Sequence, residues 1–222
     1  MRKYSPSIGW PLRDSKLHRF SIPNEVWVHK LRSIEFVILS YLCYCQSHSQ
    51  LGDPTLEMIA TGVHSTTNTV KKYIESLISK SLITSEWSLS SSLQCGSCKN
   101  FFTLPNELFL LNLPPSAFVV YAYLLLIEDR KTHTCHPNYN TIAAETSLSK
   151  NTALKSIGVL LETSLITVNP SSYYDKSGMK WRGNNLYTIL PIHSAVDIFH
   201  QRQLRKLELD VARSHLAAST TV

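Results

Sequence analysis

The chain has 222 residues, of which 43% are hydrophobic and 17% charged, so it is long enough for two small domains and apolar enough to bury a core. Its 22 Lys and Arg against 16 Asp and Glu give a net charge of +6, an excess that suits nucleic acid without requiring it. No stretch reaches the ~18 uninterrupted apolar residues of a membrane span, and residues 1–20 lack the apolar block of a secretory signal. We therefore expect a folded cytoplasmic protein with no membrane partner.

The first 17 residues carry several Lys and Arg side chains among Pro and Ser. Such a composition is typical of an unordered terminus, and it is also found in basic arms that bind nucleic acid. We predict a flexible basic N-terminus over residues 1–17.

An internal repeat organises the rest of the chain. The segment FSIPNEVW at residues 20–27 returns as FTLPNELF at residues 102–109, and the same shift of 82 pairs Phe36 with Phe118. After one inserted residue, a shift of 83 pairs Asn68 with Asn151. The repeat predicts one folding unit over residues 18–100 and a second over residues 101–192, packed together without a linker.

In the second unit, apolar residues predict a buried helix over residues 116–127. A second helix follows Asn138 and ends near Thr146, and Ser149 caps a third helix. Strands at residues 165–168 and 185–190 flank a hairpin tip at residues 173–178. Helix, helix, turn, helix and hairpin form a winged helix-turn-helix.

The first unit follows the same order with differences. We predict that Ser33 caps a helix to Cys45, that a helix starts after Thr55, and that the third helix buries Val70 and its neighbours. The position of Gly62 predicts a shorter second helix and a longer turn than in the second unit. Wing strands at residues 83–87 and 101–104 would be joined by a Ser-rich loop at residues 88–100.

The C-terminal segment, residues 193–222, is predicted to be an amphipathic helix and tail. Ser194 and Asp197 have the spacing of a capping box. An apolar stripe then runs along one face of the helix, formed by Val196, His200, Leu204, Leu207 and Val211. This stripe serves either a homodimer or docking onto the domains. The predicted fold class is mostly α with small β-hairpin wings (α+β), comprising two tandem winged helix-turn-helix domains and a C-terminal helix.

The segments IAAETSLSKNT (residues 142–152) and FTLPNE (residues 102–107) carry a family resemblance. They resemble winged-helix DNA-binding proteins of plasmids, phages and mobile elements of Gram-positive bacteria, including replication initiators and DnaD-like amino-terminal domains. The resemblance covers residues 20–192. It implies double-stranded DNA as the partner, contact with the replication or transcription machinery, and association with the nucleoid. In such proteins the third helix enters the major groove.

The DNA-binding residues that this resemblance implies lie on the third helices and on the second wing. Asn pairs with adenine, Lys with guanine or phosphate, and hydroxyl groups with phosphate. In the second unit they are Ser149, Lys150, Asn151, Thr152, Lys155 and Ser156. In the first unit they are Thr66, Thr67, Asn68, Thr69, Lys71, Lys72 and Tyr73. On the second wing they are Lys176, Lys180 and Arg182.

Cys95 and Cys98 form a candidate metal site, because their spacing allows two thiolates to share a zinc ion. Two more ligands are needed, for which His133, Cys135 and His136 are candidates, and an unligated loop is the favoured alternative. We find no catalytic motif and expect neither an enzyme nor a cofactor. The expected function is sequence-specific DNA binding in replication initiation or transcription regulation. The alternative is a protein-interaction adaptor built on tandem winged helices.

Overall fold

The computed structural model describes residues 18–48, 53–90, 93, 100–174 and 177–219, and for residues 173, 174, 180–182 and 214–219 it describes the backbone. The predicted N-terminal arm at residues 1–17 lies outside these ranges, as do Cys95, Cys98 and Lys176. The described chain is mostly helical with small antiparallel sheets, which is the predicted α+β class.

The first unit begins with strand β1 (Arg19–Pro23) and a 3-10 helix (Asn24–His29). Three α-helices follow, namely α1 (Ser33–Ser47), α2 (Leu56–Gly62) and α3 (Thr67–Ser79). Helix α3 packs against α1 and α2 and buries Val70, Ile74 and Leu77, as the apolar spacing predicts. Helix α1 begins after Arg32, whose amide donates to Glu35 at 2.9 Å, so the prediction that Ser33 is the cap was wrong by one residue.

The second unit repeats this order with strand β2 (Phe101–Pro105), a 3-10 helix (Asn106–Leu111), α4 (Pro115–Ile127), α5 (Tyr139–Glu145) and α6 (Lys150–Glu162). Helices α5 and α6 have the same lengths as α2 and α3 and lie 83 residues further along the chain. Side-chain oxygens cap these four helices by accepting a backbone N–H from the first turn. The capping residues are Thr55, Thr66, Asn138 and Ser149.

The turn before α3 does not differ in length from the turn before α6, contrary to the prediction drawn from Gly62. The turns occupy residues 63–66 and 146–149, and His64 (φ 51°) and Ser147 (φ 55°) take the same left-handed conformation. Gly62 ends α2, where an added Cβ would collide with the ring of Tyr41. Packing against Tyr41, not turn geometry, therefore explains the glycine.

The predicted first wing was wrong in its strand pairing. Residues 83–87 form no strand: Ile83 makes a single bridge to Leu89 across a tight turn in which the Thr84 amide donates to Ser88 at 2.8 Å. Strand β2 pairs instead with β1 of the first unit. That pairing buries Phe102 and Leu104 beside Phe20 and Ile22, which the short 83–89 turn could not cover.

The β1–β2 ladder relates the two units by an approximate two-fold rotation. Ser21 lies opposite its own repeat counterpart, Thr103. Around this pair the partners exchange: Phe20 lies opposite Leu104, and the counterpart of Phe20, Phe102, lies opposite Ile22. Reciprocal pairing of this kind is the signature of a two-fold interface.

Aromatic side chains repeat the same reciprocity in the shared core. Trp27 of the first unit lies edge to face against Tyr123 of the second at 5.7 Å between centroids, and their counterparts Phe109 and Tyr41 do so at 5.1 Å. The equivalent helices α1 and α4 pack against each other. The two units therefore share one continuous core.

The second unit has the predicted hairpin. Strands β4 (Ile166–Asn169) and β7 (Leu186–Ile189) pair in an antiparallel sheet that β3 (Thr134–Cys135), absent from the sequence prediction, completes. Strands β5 (Ser172–Tyr174) and β6 (Lys180–Arg182) pair separately toward the tip.

Helix α7 (Ile192–Ser219) follows the second wing. Its start docks onto the second unit: Ala195 is buried, and Arg202 donates to the Glu162 carbonyl at the end of α6 at 2.8 Å. From Gln201 to Arg213 every side chain is exposed, including Leu204 and Leu207. The first turns of α7 therefore dock onto the second unit.

No helix in the described part of the chain is long and apolar enough to cross a membrane.

Candidate nucleic-acid interface

Helix α6 separates its apolar and polar residues on opposite faces. Ala153, Ile157 and Leu160 are buried against the second unit, because residues spaced by three or four lie on one side of a helix. Lys150, Asn151 and Lys155 are exposed on the other side. The predicted contact residues of this helix thus form one outward surface near its N-terminus.

The N-terminus of α6 is capped by a hydroxyl group and carries no acidic residue. The Ser149 hydroxyl accepts the Thr152 amide at 3.1 Å and lies 2.8 Å from the Thr152 hydroxyl. The first turn contains no acidic residue, whereas the first turns of α1 and α2 contain Glu35 and Glu57. No acidic side chain in the first turn of α6 therefore neutralises the partial positive charge of its N-terminus.

Helix α3 presents the equivalent surface on the first unit. Thr66, Thr67 and Asn68 are exposed at its N-terminus, and its first turn also lacks an acidic residue. Thr66 caps the helix by accepting the Thr69 amide at 3.2 Å, in the same way as Ser149 caps α6. The two helix starts therefore share both their cap and their exposed Asn.

One turn further along α3, the exposed side chains are basic. Lys71 and Lys72 are exposed, and the Lys72 ammonium lies 5.9 Å from the ring centroid of the half-buried Tyr73. This contact steadies a long side chain that would otherwise lose conformational freedom on binding. The first unit thus carries its positive charge at residues 71 and 72, and the second at residues 150 and 155.

Ser156 does not belong to the candidate surface, and its prediction as a DNA contact was wrong. Its side chain is 2% exposed, and its hydroxyl is buried without a hydrogen-bond partner. The equivalent position in α3 is Tyr73, which is half-buried. Residue 156 faces the domain interior because it lies one turn before Leu160 on the buried side of the helix.

Sequence reasoning missed Leu154, which is 39% exposed between Asn151 and Lys155. Its counterpart in the first unit is Lys71, so one helix presents an apolar side chain where the other presents a charge. The signal was present in the repeat alignment, since a leucine that replaces an exposed lysine does not belong to the core. Apolar side chains in the major groove contact the methyl group of thymine.

A partly buried ion pair holds the C-terminal end of α3. Glu35, 1% exposed, accepts from the Lys80 ammonium at 2.6 Å and from the Ser76 hydroxyl at 2.7 Å. Burial alone would raise the pKa of Glu35, but these hydrogen bonds and that of the Arg32 amide lower it below its ordinary value. The carboxylate therefore stays charged and joins α3 to the start of α1.

The second unit replaces this ion pair with apolar contacts. The counterparts of Glu35 and Ser76 are Ala117 and Val159, and the counterpart of Lys80 is Thr163, which bonds the carbonyl of its own helix at 2.9 Å. Helices α3 and α6 are thus held in place by different contacts, although their N-terminal caps and exposed Asn residues correspond.

On the second wing, Lys180 and Arg182 lie on strand β6 opposite Tyr174 and Ser172. Gly178 takes a left-handed φ of 82° at the tip, which glycine adopts without strain. The structure thus places the two basic residues on the wing, and their predicted contact with DNA stays a prediction, as does that of Lys176.

The structure describes no cluster of three or more potential metal ligands within the ranges given above. Of the ligands considered beside Cys95 and Cys98, Cys135 is buried, and this burial raises the pKa of its thiol to about 12. The candidate site stays a prediction, since Cys95 and Cys98 lie outside the described residues.

Comparison with known proteins bears on the second unit. A family model described as a helix-turn-helix domain matches residues 111–166. A solved structure titled a possible transcriptional regulator from Methanosarcina mazei Go1 is 18% identical, covers 53% of this chain and 92% of its own, and has a TM-score of 0.33. A search of curated proteins finds no match. The second unit therefore contains a helix-turn-helix domain, and α6 is its third helix.

Proposed function

We propose that this protein binds double-stranded DNA sequence-specifically through α3 and α6, and that it regulates transcription or initiates replication on a plasmid, phage or other mobile element. The observation that carries the proposal is the matched pair of helix starts, each with a hydroxyl cap, an exposed Asn and exposed Lys residues. Asn and Lys are the side chains that read adenine and guanine edges.

The proposed activity is binding and not catalysis. The net charge of +6 favours association with phosphates, and two acid-free helix starts offer backbone N–H groups to them. A role on DNA would bring the protein to the nucleoid, and the replication or transcription machinery would be its further partner.

Selection from a pool of random duplexes, followed by affinity measurement across salt concentrations, tests this proposal. We expect one enriched sequence and an affinity whose logarithm falls linearly with the logarithm of salt concentration. A control duplex of scrambled sequence should bind about 1,000-fold more weakly at physiological salt. Equal binding of all duplexes would contradict sequence-specific reading, and no binding at all would favour the adaptor function.

A further inference from the structure

The arrangement of the two units fixes how their recognition helices are presented. Ser21 lies opposite its counterpart Thr103 in the β1–β2 ladder, and the pairs on either side exchange partners. The equivalent rings of Phe36 and Phe118 also contact each other, at 6.4 Å between centroids. Contacts between equivalent residues occur at a two-fold axis and not between units related by translation along the chain.

The turns that precede α3 and α6 take part in this arrangement. The His64 ring lies 2.8 Å from the carbonyl of Phe109, at the 3-10 helix of the second unit. In the reciprocal place, Lys30 at the end of the first 3-10 helix contacts Glu145 at 3.3 Å, at the end of α5. Each recognition helix therefore starts a few residues from a contact with the other unit, and the shared core holds the two units in one arrangement.

Resting on the DNA-binding function proposed above, we infer that a single molecule reads an imperfect inverted repeat, with α3 on one half-site and α6 on the other. A two-fold rotation reverses the direction in which the second helix meets the duplex. Dimeric helix-turn-helix proteins bind sites whose symmetry mirrors their own. Here one chain supplies both halves of that symmetry.

The two half-sites share some bases and differ in others. Asn68 and Asn151 are equivalent and exposed, so each half-site contains an adenine at the corresponding position. Lys71 and its counterpart Leu154 are both exposed, so we expect Lys71 to contact a guanine or a phosphate and Leu154 to contact a thymine methyl group. At the helix start, Thr67 of α3 corresponds to Lys150 of α6. These differences between the two helices make the inverted repeat in the DNA imperfect.

The orientation of the half-sites tests the inference. The selected site is compared with a duplex in which one half-site is reversed, giving a direct repeat of the same length and composition, and with each half-site alone. We expect one protein per inverted repeat, measured by sedimentation, and a loss of about 100-fold or more on the direct repeat. Preference for the direct repeat, full affinity for one half-site, or two proteins per site would overturn the inference while leaving DNA binding intact.

Matched variants assign each helix to its half-site. Asn68→Ala and Asn151→Ala remove equivalent exposed side chains, so each should reduce footprint protection of one half-site and spare the other. The double variant T67K/K71L gives α3 the residue types that α6 has at the equivalent positions, Lys150 and Leu154. It should shift selection toward a more symmetric repeat. If both Asn variants affected the same half-site, the inference would be wrong; if no variant or wild-type bound any duplex, the proposed function itself would fail.

Discussion

Phe36 and Phe118 occupy equivalent positions of α1 and α4, and their rings pack edge to face across the axis that relates the two units. Both side chains are almost fully buried, so the core of each unit extends into the other. The units are therefore expected to unfold together and not as independent domains.

Phe36→Ala should lower the free energy of unfolding by about 3–5 kcal/mol, because it opens a cavity in the shared core. Urea denaturation followed by tryptophan fluorescence and by circular dichroism measures the change. Val28→Ala is the control: Val28 is 77% exposed, and its removal should change stability by no more than about 0.5 kcal/mol. Two separate wild-type transitions would contradict the shared core.

Gly62→Ala should destabilise the protein by about 1–3 kcal/mol, since the new methyl group must displace the ring of Tyr41. Gly158→Ala provides a comparison, because a Cβ there meets nothing within 4 Å and the residue lies inside α6. That variant should gain up to about 1 kcal/mol from better helix propensity. Thermal denaturation of both variants measures the change in melting temperature. Equal changes in the two variants would argue against the contact between residue 62 and Tyr41.

Glu35→Gln should lower the free energy of unfolding at pH 7 by about 1–3 kcal/mol, because Lys80 loses a charged partner. The folded-state pKa of Glu35 lies below its ordinary value of 4.5, so its contribution is complete above that value and is lost as the pH falls through the folded-state pKa. The difference between wild type and variant should therefore shrink in acid. A difference that is constant between pH 7 and pH 3 would show that the charge is unimportant.

Cys43, Cys45 and Cys135 should resist alkylation in the native protein. All three are buried, and burial raises the pKa of Cys45 and that of Cys135, the latter to about 12. Iodoacetamide labelling at pH 8, read by mass spectrometry with and without urea, compares native and unfolded rates. Rapid native labelling of Cys135 would mean that its strand opens easily.

The repeat made much of the fold predictable from the sequence. A shift of 83 relates the helices of the first unit to those of the clearer second unit, and Ser149 caps α6 as predicted. Helix caps depend on neighbours within three residues, so the local sequence contains the information.

The pairing of β1 with β2 could not be predicted in this way. The strand at residues 101–105 is compatible with a partner in either unit, and the choice depends on burying Phe102 and Leu104 against residues about 80 positions away. The prediction for Ser156 failed for a similar reason, because its burial depends on how α6 packs against the rest of the unit, which the sequence of the helix alone does not show. Long-range packing decided both cases.

DNA affinity of the variant K150A/N151A/K155A tests the central claim most directly. The control R205A/K206A also removes two positive charges, but from the exposed part of α7. On the selected duplex we expect the α6 variant to bind about 100-fold more weakly, with a shallower salt dependence and an unchanged circular dichroism spectrum, and the control to bind nearly as wild type. Undiminished, equally selective binding by the α6 variant would contradict the assignment of α6 as a recognition helix.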